Sequence, residues 1–197
     1  MNYKANTMPT HRQSSFLAHL RTQAYPIHCL DVLRGTPAEV IAPFGGEGLL
    51  AGALQPRSDA HLLGHQPPAN GNTVEPLTLY FRHTPEGYYL YVRSLGPYFG
   101  RGISADDNGH IGAFIIAERE PVPFKLIHPQ RGETSLEHIK RDRVGMFLQR
   151  AGKGFVHRSS RHDAEPTYLN TAGGSPLGFI LDIQERNAPW LSYPDEF

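Results

Sequence analysis

The chain has 197 residues, 19 Lys+Arg against 19 Asp+Glu, so no global field draws in nucleic acid or an anionic membrane. Hydrophobic residues make up 39% and charged residues 19%, which excludes a disordered chain and suits one soluble domain with a sizeable core. The 20 Gly and 17 Pro would interrupt the helices of a bundle; they fit many short strands joined by turns.

The first 24 residues are polar and read as a mobile leader, with a short helix at Phe16–Arg21. They lack the apolar run of a secretory signal, and no stretch approaches the ~20 apolar residues of a membrane span. The expected location is the cytoplasm, or the outside by a route without a classical signal peptide. The single cysteine, Cys29, excludes an internal disulfide and reads as a core residue. Its neighbour His28 would point to the opposite face of a strand, so the two do not form a thiol–base pair. Eleven His hold little charge at pH 7, and below about pH 6 they would make the protein cationic.

Three segments can be superposed without gaps: LRGTPAEVIA from Leu33, VRSLGPYFGR from Val92 and QRAGKGFVHR from Gln149. Each carries Arg at its second place (Arg34, Arg93, Arg150), then a turn, then a hydrophobic pair such as Val40-Ile41 or Phe155-Val156. Strand-like runs precede them: Ile27–Leu33, Tyr88–Val92 and Val144–Gln149. Each unit contains a third short apolar run, at His61–Gly64, Ile111–Ile116 and Thr167–Asn170. Each closes on an alternating strand, placing Leu77, Leu79 and Phe81, then Phe124 and Leu126, then Phe179, Leu181 and Ile183 on one face.

Three such units (about 27–83, 86–128 and 144–184) predict an all-β fold of twelve short strands, a β-trefoil spanning residues 25–186. Six strands would form a barrel and six a cap of hairpins, because one unit cannot close a barrel alone. The rival layout is a β-sandwich. Pro129–Arg143 reads as a charged, solvated linker with a short helix at 134–141. The tail, 187–197, carries the only Trp, Trp190, expected to pack on the barrel.

Motifs for catalysis are missing. There is no zinc-protease helix, no Walker loop, no dinucleotide fingerprint and no nucleophile elbow. Asp106-Asp107-Asn108-Gly109 lacks the later ligands of a calcium loop and reads as a turn. The spacing of His157, His162 and Asp163 matches no specific metal site. The reading is therefore a non-enzyme without cofactor or metal.

What remains is polar and aromatic clustering in the loops. Unit two offers Tyr98, Arg101, Asp107, Asn108 and His110, with Asp106. Unit three offers His157, Arg158, His162, Asp163 and Asn170, with Arg161. Unit one offers His61 and His65, with Asp59, Asn70 and Asn72. Sugar hydroxyls need mixed donors and acceptors, and a sugar's apolar face needs a ring or a flat glycine surface.

The repeated hairpin and the Phe-x-Leu closing strands resemble the β-trefoil lectin superfamily over about residues 27–185. Ricin-B-like lectins close each unit on Gln-x-Trp; here those places read Leu79-Tyr80-Phe81, Phe124-Lys125-Leu126 and Phe179-Ile180-Leu181. Gly152-Lys153-Gly154-Phe155-Val156-His157 is similar to the opening of the mussel-type lectin motif, and Ala42-Pro43-Phe44-Gly45-Gly46 to its continuation. The resemblance implies sugar binding at up to three related loop sites. The closing strands look equally like actin-bundling fascin trefoils. The two expected partners are thus a glycan and a protein, the latter for a secreted bacterial effector, toxin component or cytoskeletal binder.

Overall fold

The computed structural model describes residues 11–35, 39–42, 55–161 and 164–189. A one-turn helix, α1 (His11–Ser14), leads into strands β1 (Phe16–Arg21) and β2 (Ile27–Cys29). Helix α2 (Leu30–Arg34) follows, then β3 (Glu39–Ala42), β4 (Gln55–Ser58) and β5 (Leu63–His65). Next come β6 (Leu77–Thr84), β7 (Gly87–Val92), β8 (Gly102–Ala105), β9 (Ile111–Phe114) and β10 (Phe124–His128). The last described strands are β11 (Gly132–Thr134), β12 (Arg143–Arg150), β13 (His157–Arg161), β14 (Ala164–Asn170) and β15 (Gly178–Arg186).

Six of these close a barrel in the cyclic order β1, β6, β7, β10, β12, β15, every neighbour antiparallel. Alternation explains why: each strand turns every second side chain inward. Phe16, Ala18 and Leu20 of β1 meet Leu77, Leu79 and Phe81 of β6, and Tyr88, Leu90 and Val92 of β7 complete that side. Phe124, Leu126, Met146, Leu148, Phe179 and Leu181 fill the other. The Phe16 and Phe81 rings stack at 4.5 Å.

Three further antiparallel pairs stand outside the barrel: β2 with β5, β8 with β9, and β13 with β14. They are tied to one another by three pairings, Tyr168 with Gly64, Leu62 with Gly112, and His110 with Asn170. This all-β architecture has fifteen strands among the described residues rather than the expected twelve. β3, β4 and β11 are the additions, and β3 pairs only with β4.

The largest departure from expectation lies near the start. Phe16–Arg21 is neither helix nor mobile leader but the strand that closes the barrel between β15 and β6. Its residues favour a helix in isolation, yet burial of Phe16, Ala18 and Leu20 on one face outweighs that propensity. The run Ile27–Leu33 is accordingly not the opening strand of its unit: it is three residues of β2 and then α2. Arg34 sits on α2. The arginine that stands beside a closing strand, as Arg93 does beside Thr78 and Arg150 beside Phe124, is Arg21, opposite Ile180.

The linker is also less solvated than its charge suggests. Leu136 and Ile139 join the core, and the Leu136 N–H donates to the Tyr88 phenol at 3.0 Å. Burial pushes the Tyr88 phenol up to about 12. The expected helix in this linker is a single 3-10 turn, Leu136–His138. In the tail, Ala188 packs on Tyr80 and Tyr91, while Trp190 lies outside the described residues.

Candidate functional site

Several polar residues singled out in the loops turn inward and join the outer strand pairs. Asp106 Oδ1 accepts from the N–H groups of Asn108 and His110 at 2.9 and 2.8 Å, forming the turn between β8 and β9. Its other oxygen lies 3.2 Å from His110 Nδ1. Burial works against the charge on Asp106, but the bonds from His110 and Asn108 hold its pKa below the usual value.

The buried His110 ring meets Tyr168 edge-on at 5.2 Å. Asn170, also buried, donates to the Asn108 carbonyl and accepts from the Ala172 N–H. His157 is 7% exposed, its Nδ1 3.1 Å from the Phe155 carbonyl. These three residues are thus spent on joining β9, β13 and β14.

Tyr98 donates to Asp31 at 2.6 Å, and burial raises its pKa, assisted by Asp31. The Arg101 guanidinium lies over the Tyr98 ring at 4.8 Å. His61 meets the Phe114 ring edge-on at 4.8 Å. Asp107 is exposed and pairs with Arg119 at 3.2 Å. Asn108 is exposed at the turn. His162 and Asp163 lie outside the described residues, as do the side chains of Arg161 and Asn70 and the stretch Pro43–Gly46. Among the described residues, no group of three or more His, Cys, Asp or Glu is placed to hold a metal ion. No helix there is long and apolar enough to cross a membrane.

Two predicted residues, His65 and Arg158, line an open groove of about 470 Å³. Its walls are Gly145–Phe147 of β12, Gly178–Ile180 of β15 and the turn Thr22–Ala24 that follows β1. That turn is built on Thr22, whose hydroxyl donates to the Tyr25 carbonyl and accepts from the N–H groups of Ala24 and Tyr25. Thr22 Oγ1 also lies 2.8 Å from His65 Nε2. His65 Nδ1 is buried without a hydrogen-bond partner among the described residues. Burial, assisted by Arg158, lowers the pKa of His65.

A second groove, of about 790 Å³, is bounded by His19 of β1, Thr78 of β6 and the Arg93–Leu95 turn that follows β7. His28, Thr73, Glu75 and the expected residue Asn72 complete its polar lining. Here Ser94 Oγ accepts from the Thr78 N–H at 2.8 Å. Arg93 is set between the Tyr80 and Phe99 rings, 5.6 and 5.5 Å from their centres. Leu95 stands at the rim, 93% exposed.

The sequence expectations do not include Thr22, Gly145, Phe147 or Gly178: Thr22 falls in the stretch expected to be a leader, and the other three fall in or beside strand-like runs that carry no polar signal. The signal that could have found them is the pair of glycines flanking an outward Phe on neighbouring strands. No protein-family model, curated protein or solved structure matches the chain.

Proposed function

We propose that this barrel and its cap are a β-trefoil, and that it works as a carbohydrate-binding, lectin-like module. Twelve strands support the fold: six in the barrel and three outer pairs, one following each of β1, β7 and β12. The three units then run from β1 to β6, from β7 to β10 and from β12 to β15.

The observation that carries the functional reading is the correspondence of the two grooves. In one, Thr78 lies between its partner His19 and the arginine of the next turn, Arg93. In the other, Ile180 lies between Gly145 and Arg21. Each groove thus sits between the first and last strands of one unit and the opening turn of the next. Each combines hydroxyl and cationic groups with apolar surface, the mixture that sugar recognition requires. Repetition of a concave polar site fits a ligand that itself repeats, as glycans do, and two sites on one chain raise avidity.

The test is a glycan array with the full chain, followed by calorimetry on any ligand found. Saturable binding is expected, weakened when Gly145→Leu fills one groove. Absence of binding to every glycan would overturn the reading.

A protein partner is the second reading, and Leu95 favours it. A leucine exposed to 93% at a groove rim suits burial under another polypeptide. Leu95→Glu would then abolish capture of a protein partner while leaving glycan binding at the other groove, which Leu95 does not line, intact.

A further inference from the structure

We propose that the groove between β12, β15 and the Thr22–Ala24 turn takes a sugar that carries an oxyanion group. Arg158 would grip that group while Phe147 meets the sugar's apolar face. This rests on the carbohydrate reading and narrows it to one ligand class at one groove.

Charge is the first argument. Among the described residues, Arg158 is the only formally charged one lining this groove, and no Asp or Glu lines it. The second groove differs, since it holds Glu75 as well as Arg93. Arg21, Arg119 and Arg186 pair with Asp182, Asp107 and Asp142, and Lys125 with Glu133. Arg158 is exposed and makes no ion pair or side-chain hydrogen bond among the described residues. Its planar fork matches a carboxylate or sulfate through two parallel bonds.

Shape is the second argument. On β15 the residue directly opposite Phe147 is Gly178, so that side adds no side chain beside the ring; Ile127 of β10 stands opposite on the other side, and the Phe155 ring meets Phe147 edge-on at 6.2 Å. A Cβ at Gly178 would only touch the ring, at 3.9 Å. On the other flank, a Cβ at Gly145 would meet no atom within 4 Å. The two glycines leave the half-buried ring open on the β15 side, an apolar surface onto which a pyranose can pack. Beside it, the Gln23 amide offers a donor and an acceptor for hydroxyls.

The test is calorimetry of the full chain with three disaccharides of one backbone: glucuronate-bearing, sulfated and neutral. Wild type is expected to bind at least one acidic sugar about tenfold tighter than the neutral one. Arg158→Ala should lose that preference, and Arg158→Lys should keep only part of it. Lys153→Ala removes an exposed charge outside the groove and should change nothing. Gly145→Leu should abolish acidic-sugar binding while the fold, checked by thermal unfolding, persists. The ratio of the carboxylate to the sulfate arm tells which oxyanion is preferred. Equal affinity for acidic and neutral sugars, or full affinity in Arg158→Ala, would overturn this inference and leave the carbohydrate reading standing. Failure of all three sugars together with an empty glycan array would overturn both.

Discussion

Tyr168 and Asp59, 109 residues apart in sequence, are joined by a 2.6 Å hydrogen bond inside the cap. Both are essentially buried, at 0% and 1% exposure. The bond ties β14 to the turn ahead of β5, whose Leu62 N–H is itself held by the Asp59 carbonyl. Tyr168 also carries the edge of His110, so one phenol touches elements from all three outer strand pairs.

Tyr168→Phe keeps the ring and removes the donor. Asp59 then has a buried carboxylate oxygen without this bond, at a cost of about 1–3 kcal/mol. For a chain of this size each kcal/mol lowers Tm by about 2–4 °C. Thermal unfolding followed by circular dichroism measures the drop, and an unchanged Tm would show that the bond contributes nothing.

Gly109 has φ +85, and a Cβ there would lie 2.7 Å from Asn170 Oδ1 and 3.0 Å from the Ala172 Cβ. Gly109→Ala therefore meets both backbone strain and overpacking where the β8–β9 turn abuts β14. The expected loss is about 1–3 kcal/mol. Gly152 also has positive φ (+70), but no atom lies within 4 Å of a Cβ there. Gly152→Ala should thus be milder, and equal losses at the two sites would contradict the packing argument.

Acid should destabilise the fold well before carboxylates titrate. Burial lowers the pKa of His28, His61, His65 and His83 below 6.5. The unfolded chain then binds more protons than the folded one as pH falls through 6.5, so stability is full above that value and declines below it. Asp106 adds a second loss that begins only near its ordinary value of 3.8 and grows as pH falls toward its depressed pKa. Tm should fall between pH 7.5 and 5; a flat profile across that window would sink the argument.

Phe16→Ala probes the barrel assignment of β1. The ring is 0% exposed and stacked on Phe81, so truncation should cost about 3–5 kcal/mol. Were residues 1–24 a mobile leader, the substitution would be silent in a denaturant titration.

Much of this barrel can be read from alternation. Leu77-Thr78-Leu79-Tyr80-Phe81 and Phe179-Ile180-Leu181-Asp182-Ile183 become β6 and β15, and the runs at Tyr88–Val92 and Val144–Gln149 become β7 and β12. β1 alternates equally well as Phe16, Ala18, Leu20. It was hidden because FLAHLR also suits a helix and follows a polar stretch; only long-range pairing with β6 and β15 decides between them. The site was less legible for a different reason. Composition marks His110, His157 and Asn170 as polar loop residues, but their direction depends on neighbours distant in sequence. They point into the cap, whereas His65 and Arg158 line a groove whose walls come from both ends of the sequence.

Closure of the barrel by Phe16–Arg21 against Ile180–Arg186 has a kinetic consequence. Synthesis delivers β1 early and its partner β15 last of the described strands. A nascent chain can pair β1 with β6, but one edge of β1 stays open until residue 186 has left the ribosome. Assembly is thus weighted toward the end of translation, with a high contact order and slow folding. The same adjacency makes the barrel a natural subject for circular permutation: a linker from the end of β15 to the start of β1 would bridge neighbouring strand ends, and a new opening in the β6–β7 turn would place β15 directly before β1 and make β6 the last barrel strand synthesised.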